Sequence, residues 1–137
     1  MRPRDLPMKE LIEKLKEEHS TLPSVIDDAI LTYKTGNLSG AFPVIADVRE
    51  ILSQHIIDEE GTVLKFLLDK IGKEAAEPYI KILQEHTGIM KLVDQSVEST
   101  YTGWTETENY LLQLKRTLAE HHKREEEEFF PKVISLL

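Results

Sequence analysis

The chain contains no cysteine. That absence excludes a disulfide framework, a thiolate zinc site and a conventional iron-sulfur cluster, so any metal must be held by nitrogen and oxygen. There is no run of 18 apolar residues long enough for a membrane span, and the N-terminal MRPRDLPMKELIEK lacks the apolar core of a secretion signal. A soluble, cytoplasmic protein with no membrane partner is expected. Positive charge is also short: 17 Lys and Arg against 25 Asp and Glu give a net charge of −8. Nucleic acid is therefore not an expected partner, since it is bound by basic surface that displaces counterions from phosphates. Alternating β-rich runs bounded by turn residues are missing as well.

What is present is helical period. Apolar residues recur three and four apart along nearly all 137 residues, a length that suits one domain, residues 1–137, burying roughly two-thirds of its unfolded surface. The predicted class is all-α. Helix A is expected to start just after Asp5, with Pro7 in its first turn and a kink at Pro23, and to end at Lys34 before Thr35-Gly36-Asn37. Helix B is predicted from Ala41 to Lys70, ending at Ile71-Gly72, and helix C from about Glu77-Pro78 to Thr100. Helix D should follow a Gly103-Trp104 turn, opened by a capping box in which Thr105 pairs with Glu108. Short links between long helices predict an up-down-up-down antiparallel four-helix bundle.

The inward stripes can be written from the period. They are Met8, Ile12, Leu15, His19, Leu22 and Ile26 on A, and Ile45, Val48, Leu52, His55, Glu59 and Phe66 on B. On C they are Tyr79, Ile82, His86, Ile89 and Val93, and on D Leu111, Leu114, Leu118, His121, Glu125 and Phe129. Every stripe carries a histidine. On B and D the spacing is His-x-x-x-Glu, His55 to Glu59 and His121 to Glu125, which puts both side chains on one face a turn apart.

The spacing also repeats. His19 to His86 is 67 residues, while His55 to His121 and Glu59 to Glu125 are each 66. The chain thus reads as two helical hairpins, each supplying one histidine and then one His-x-x-x-Glu. Antiparallel residues are level when equidistant from the turn between them, and the midpoints fall at Gly36-Asn37, Ile71-Gly72 and Gly103-Trp104. All six groups should lie in one layer. One such pair arises easily by chance in a chain this rich in glutamate, but four imidazoles and two carboxylates buried together would leave polar groups unpaired at a cost of several kcal/mol. A pair of metal ions would supply the missing partners. Imidazole with carboxylate suits iron, manganese or zinc, and two carboxylates placed to bridge favour a dinuclear centre. The Glu-x-x-His of ferritin-like bundles does not occur.

His19, His55-x-x-x-Glu59, His86 and His121-x-x-x-Glu125 on four helices resemble the hemerythrin-like HHE cation-binding domain, over nearly the whole chain. The resemblance implies a non-haem di-iron site, with His19 and His55 on one iron, His86 and His121 on the other, and Glu59, Glu125 and an oxo or hydroxo group bridging. It also implies a protein that binds, senses or reacts with O2, peroxide or NO; weak peroxidase-like turnover fits, although no strong catalytic signature is present. The alternative is a labile-iron donor or iron-sulfur cluster repair partner, with a redox or iron-accepting protein as its partner. Two departures bear on this. Position 90 is Met where oxygen carriers have a further histidine four after the first on helix C, and only Tyr33 stands near where the repair proteins carry an extra histidine. The repair proteins also carry a cysteine-bearing N-terminal segment, and these 137 residues contain no cysteine. Two histidines per iron imply open coordination positions. His122 and the remaining glutamates of HHKREEEEFFP read as a solvated face, with His122 and Glu126 turned outward or onto a neighbouring helix and Phe129 or Phe130 sealing the core. The tyrosines read as ordinary packing, with only Tyr33 and Tyr79 near a core stripe.

Overall fold

A computed structural model describes residues 6–36, 38–101 and 104–137. Among them every regular element is helical: α1 (Met8–Lys34), α2 (Leu38–Asp58), a π-helical turn π1 (Glu59–Val63), α3 (Leu64–Ser99), α4 (Trp104–Arg124), a second π-helical turn π2 (Glu125–Phe129) and α5 (Phe130–Ser135). No helix among the described residues is long and apolar enough to cross a membrane.

The punctuation works largely as the sequence implies. Pro7 caps α1 from outside rather than sitting in its first turn, because its extended backbone (φ −52°, ψ 146°) turns the chain while its carbonyl accepts the first helical bond from Leu11 at 2.9 Å. Pro23 lies inside α1 without interrupting it. After Lys34 the amides of Thr35 and Gly36 close on the carbonyls of Leu31 and Tyr33, and Gly36 takes φ +82°, a conformation that ends helices and favours glycine.

Three helix starts differ from expectation. α2 starts at Leu38, three residues before Ala41, and accommodates Pro43 near its beginning. Helical backbone also resumes directly after Gly72, where φ 82° and ψ 163° break α3 into two arms, so Pro78 is inside the second arm instead of opening it. A glycine whose φ only glycine adopts readily is a stronger stop than the proline that follows it. α4 begins at Trp104, which puts Thr105 within the first turn and removes the proposed capping box. Asn37 and Gly103, assigned to turns, lie outside the described residues.

The helices lie side by side. Between α1 and α4, Asp27 pairs with Lys115 at 2.8 Å and Lys34 with Glu108 at 3.2 Å. Between α3 and α4, Ser99 bonds Thr107 at 2.6 Å and Glu85 pairs with Arg124. In both cases the partner's number falls as the residue number rises, so these segments run in opposite directions.

The core is divided in two. One apolar cluster gathers Leu22, Ile26, Ile45, Leu52, Ile89 and Leu114; the other gathers Leu11, Leu15, Val63, Leu67, Leu83 and Phe130. Between them α1, α2, α3 and α4 each pass through a stretch with buried polar residues, and His19, His55, Glu59, His86, His121 and Glu125 are gathered there. Phe129 and Phe130, both fully buried, close the second cluster, as the pattern predicts. Phe66 is only half-buried, and Val63 and Leu67 take the inward places. The π-turn explains the slip: it spends one extra residue on a turn, so the inward face below Glu59 advances by one position. Tyr79 is half-buried against Phe129, ring centroids 6.3 Å apart, and Tyr33 belongs to the first apolar cluster rather than to the polar layer. Both are packing residues, as expected.

Candidate metal centre

Helical spacing sets the first half of the geometry. His55 and Glu59 are one turn apart on one face, and so are His121 and Glu125; the imidazole Nε2 of His55 contacts Glu59 Oε1, and Nε2 of His121 lies 3.3 Å from Glu125 Oε1. Each glutamate is also where regular helix gives way. Glu59 and Glu125 open the two π-turns, their carbonyls accepting from Leu64 and Phe130 five residues on. π-turns inside α-helices occur frequently at functional sites, where they re-aim side chains. Here they recur at the same point of both halves of the repeat.

Packing supplies the second half. His19 Nε2 on α1 lies 3.2 Å from His55 Nε2 and 3.3 Å from Glu125 Oε1. His86 Nε2 on α3 is 3.9 Å from Glu59 Oε1 and 4.0 Å from Glu125 Oε2. All six sequence-predicted residues therefore come together in one buried layer, each less than a tenth exposed. Each carboxylate reaches one histidine of the His19/His55 pair and at least one of the His86/His121 pair. The donor atoms of His86, His121 and Glu125 lie within 4.8 Å of one another, as do those of His19, His55, His122 and Glu125.

His122 corrects the sequence reading. It is 5% exposed, not part of a solvated face, and its ring stacks on that of His19 with centroids 3.6 Å apart and planes 7° from parallel. α4 is flanked by both α1 and α3, so its inward arc is wide enough to bury two consecutive residues. His121 faces α3 and His122 faces α1.

A second set of residues escaped the sequence reading altogether. The outward nitrogens meet carboxylates: His55 Nδ1 lies 2.9 Å from Glu18, His121 Nδ1 2.8 Å from Glu85 and His86 Nδ1 3.3 Å from Glu60. Glu126 Oε2 is 3.5 Å from His19 Nδ1, beyond hydrogen-bonding geometry but on the same side of the ring. An Nδ1–H donating outward leaves the Nε2 lone pair aimed into the layer, the tautomer a metal ligand needs. The signal was in the sequence: a glutamate directly precedes each single histidine, at 18 and 85, and a second glutamate directly follows each His-x-x-x-Glu, at 60 and 126. Arg124 in turn holds Glu85 through Nε at 3.2 Å and through its terminal nitrogen. Burial raises the Glu85 pKa, but the bonds from His121 and Arg124 outweigh it and keep the group below the usual carboxylate range.

Inside the layer several polar atoms are not satisfied. Both oxygens of Glu59, both of Glu125 and the Nε2 atoms of His86 and His121 are buried without a hydrogen-bond partner. Native structures leave few such groups unpaired, and each costs about 1–3 kcal/mol. An arrangement of lone pairs facing lone pairs is what a cation would hold together. The donors present, imidazole and carboxylate with no thiolate, fit a divalent transition metal.

Protonation follows from the same geometry. Burial holds His19 well below the ordinary histidine range, aided by the His122, His55 and His121 imidazoles, and it lowers His122 to about 2. His121 is also lowered by burial, against the bond to Glu85. His55 goes the other way: burial lowers it, but Glu59 and Glu18 on its two nitrogens raise it to about 9. The signs differ for stability. Lowered histidines stay neutral while the unfolded chain takes up protons, so the metal-free protein loses stability as pH falls below about 6.5; from His19 and His122 alone, the two lowered furthest, the loss is about 3 kcal/mol per pH unit. The raised His55 contributes stability fully below about 6.5 that disappears as pH climbs through about 9. Melting of the metal-free protein at pH 5, 6.5 and 9 should peak at the middle value; a melting temperature that rises steadily toward pH 5 would show that these histidines are not buried neutral.

No family model, no curated protein and no solved structure matches the chain.

Proposed function

We propose that this chain is a hemerythrin-like, up-down-up-down four-helix bundle that holds two iron ions between His19, His55, Glu59, His86, His121 and Glu125 and binds, senses or reacts with O2, peroxide or NO. One observation carries the reading: both oxygens of Glu59, both of Glu125 and the Nε2 atoms of His86 and His121 are buried without a hydrogen-bond partner, in a layer that His19 and His55 also enter. The motif resemblance then favours iron over the other metals that accept this donor set. Each carboxylate lies against histidines of both pairs, which supports Glu59 and Glu125 as the bridging groups.

When bound, two irons would supply a redox-active pair for a small ligand. The chain's own residues supply the rest. Glu18, Glu60 and Glu85 fix the tautomers and ring planes of three histidines. The two apolar clusters exclude water from above and below. A surface cleft of about 640 Å³, lined by Ile56, Thr87 and Met90 together with charged side chains such as Glu60, Lys91 and Asp94, includes His86 in its wall and gives a small molecule a short approach. Burial of every proposed ligand also favours a resident centre over the labile-iron alternative.

The test is loading with ferrous iron under anaerobic conditions, followed by air. About two irons per chain and the charge-transfer absorption of a coupled ferric pair are expected. Retention of less than one iron per chain after desalting, or the same iron content in the His55→Ala/His121→Ala double variant, sinks the reading. A subtler prediction concerns Glu85. Glu85→Gln keeps the side chain's size but loses the charge that orients His121, and should weaken iron binding by about 10- to 100-fold with little change in the metal-free fold; an unchanged binding isotherm would show that Glu85 serves only the Arg124 ion pair.

A further inference from the structure

The two halves of the centre are related residue by residue, and the relation extends to the surface clefts beside them. The cleft at His86 is walled by Ile56, Glu60, Thr87 and Met90; adding or subtracting the repeat lands on His122, Glu126, Ser20 and Pro23, which wall a second cleft of about 450 Å³ at His19. The clefts are therefore equivalent positions on opposite faces. One difference stands out chemically: where the first half has Ile56, the second has His122.

That difference reaches the polar layer. Ile56 can offer no donor atom. His122 is buried, stacked on His19, and has a ring nitrogen that lies within 4.8 Å of the donor atoms of His19, His55 and Glu125. The repeat explains the other six groups in matched pairs, so His122 is the one imidazole in the layer with no counterpart.

We propose, building on the di-iron reading, that His122 is a fifth nitrogen ligand, serving the metal position of His19 and His55 and making the two positions inequivalent. One position has three imidazoles available, the other only His86 and His121. The ring's stacking on His19 sets it beside the shared donor set, and its packing against α1 leaves it only 5% exposed. Affinity should follow the donor count, with the three-imidazole position filling first.

Cobalt(II) is the probe, because its visible absorption reports binding and coordination without turnover. Titration of the wild type is expected to show two steps whose dissociation constants differ by at least about tenfold, since even an outer-shell partner is worth about 10- to 100-fold in metal affinity. His122→Ile copies the residue its repeat counterpart has; it should weaken the first step until the two merge. Ile56→His adds the missing partner and should tighten the second step, which keeps the test decisive should the first variant fold poorly. Melting of both metal-free variants confirms their folding. Isotherms of His122→Ile and wild type that superimpose overturn the role of His122 and leave the six-ligand reading standing. A wild type that binds no cobalt overturns both.

Discussion

Loading the metal-free protein with iron raises its melting temperature by more than about 20 °C. The size follows from linkage: a ligand that binds only the native state at about a thousand times its dissociation constant adds about 4 kcal/mol, and two sites add about twice that. At this chain length each kcal/mol moves the transition by about 3 °C. The layer makes so large an effect reasonable, since without a cation the oxygens of Glu59 and Glu125 and the Nε2 atoms of His86 and His121 face one another unpaired. Scanning calorimetry with and without anaerobic ferrous iron measures it. The double variant His55→Ala/His121→Ala should show no iron-dependent rise. Superimposable scans of the wild type with and without iron would exclude a buried site.

Glu125→Leu moves stability in opposite directions depending on metal. Glu125 is fully buried, and neither oxygen has a hydrogen-bond donor although His19 Nε2 and His121 Nε2 both stand 3.3 Å from Oε1. Glu85 takes the Nδ1 hydrogen of His121, so the nitrogen facing Glu125 presents a lone pair. Replacing such a carboxylate with an apolar side chain of similar size relieves that opposition, and buried charges replaced in this way typically stabilise by about 1–4 kcal/mol. The metal-free variant should therefore melt about 3–12 °C above metal-free wild type. With iron present the order reverses, because the carboxylate against both histidine pairs is gone. A purely structural glutamate would give the same sign in both conditions, and a metal-free variant that melts below wild type would assign Glu125 that role.

Several elements of the fold were legible in advance because they depend on neighbours in sequence. Gly36 and Gly72 stop helices through a backbone conformation that few other residues adopt, and both have φ of 82°. The apolar stripes through Leu15, Leu22, Leu52, Ile89 and Leu114 depend only on the helical period. The polar layer was legible for a similar reason: residues equidistant from a turn come level when the segments pack side by side, so His19, His55, His86 and His121 could be placed at one height from numbering alone.

What numbering could not reveal was set by rotation and by outer partners. The π-turns at Glu59 and Glu125 add a residue to one turn each and move Val63 and Leu67 inward in place of Phe66; such a turn leaves no mark in the apolar period until after it has shifted it. Of the glutamates that hold Nδ1, Glu18 and Glu60 stand in runs of charge and Glu85 stands alone, and neither setting says which carboxylate touches a ring. His122 was misread because a single-stripe view gives each helix one partner, whereas α4 has two.

The sequence by itself determined that the chain is helical, where its helices stop, and that four histidines and two glutamates share a level, since all of these follow from local backbone preference and from counting along a regular helix. Only the tertiary structure decided which way each ring turns, that Glu18, Glu60 and Glu85 stand behind the histidines, and that His122 is inside. Those depend on how far each helix is rotated against two neighbours at once, and that rotation is settled by the packing of the whole core rather than by any one segment.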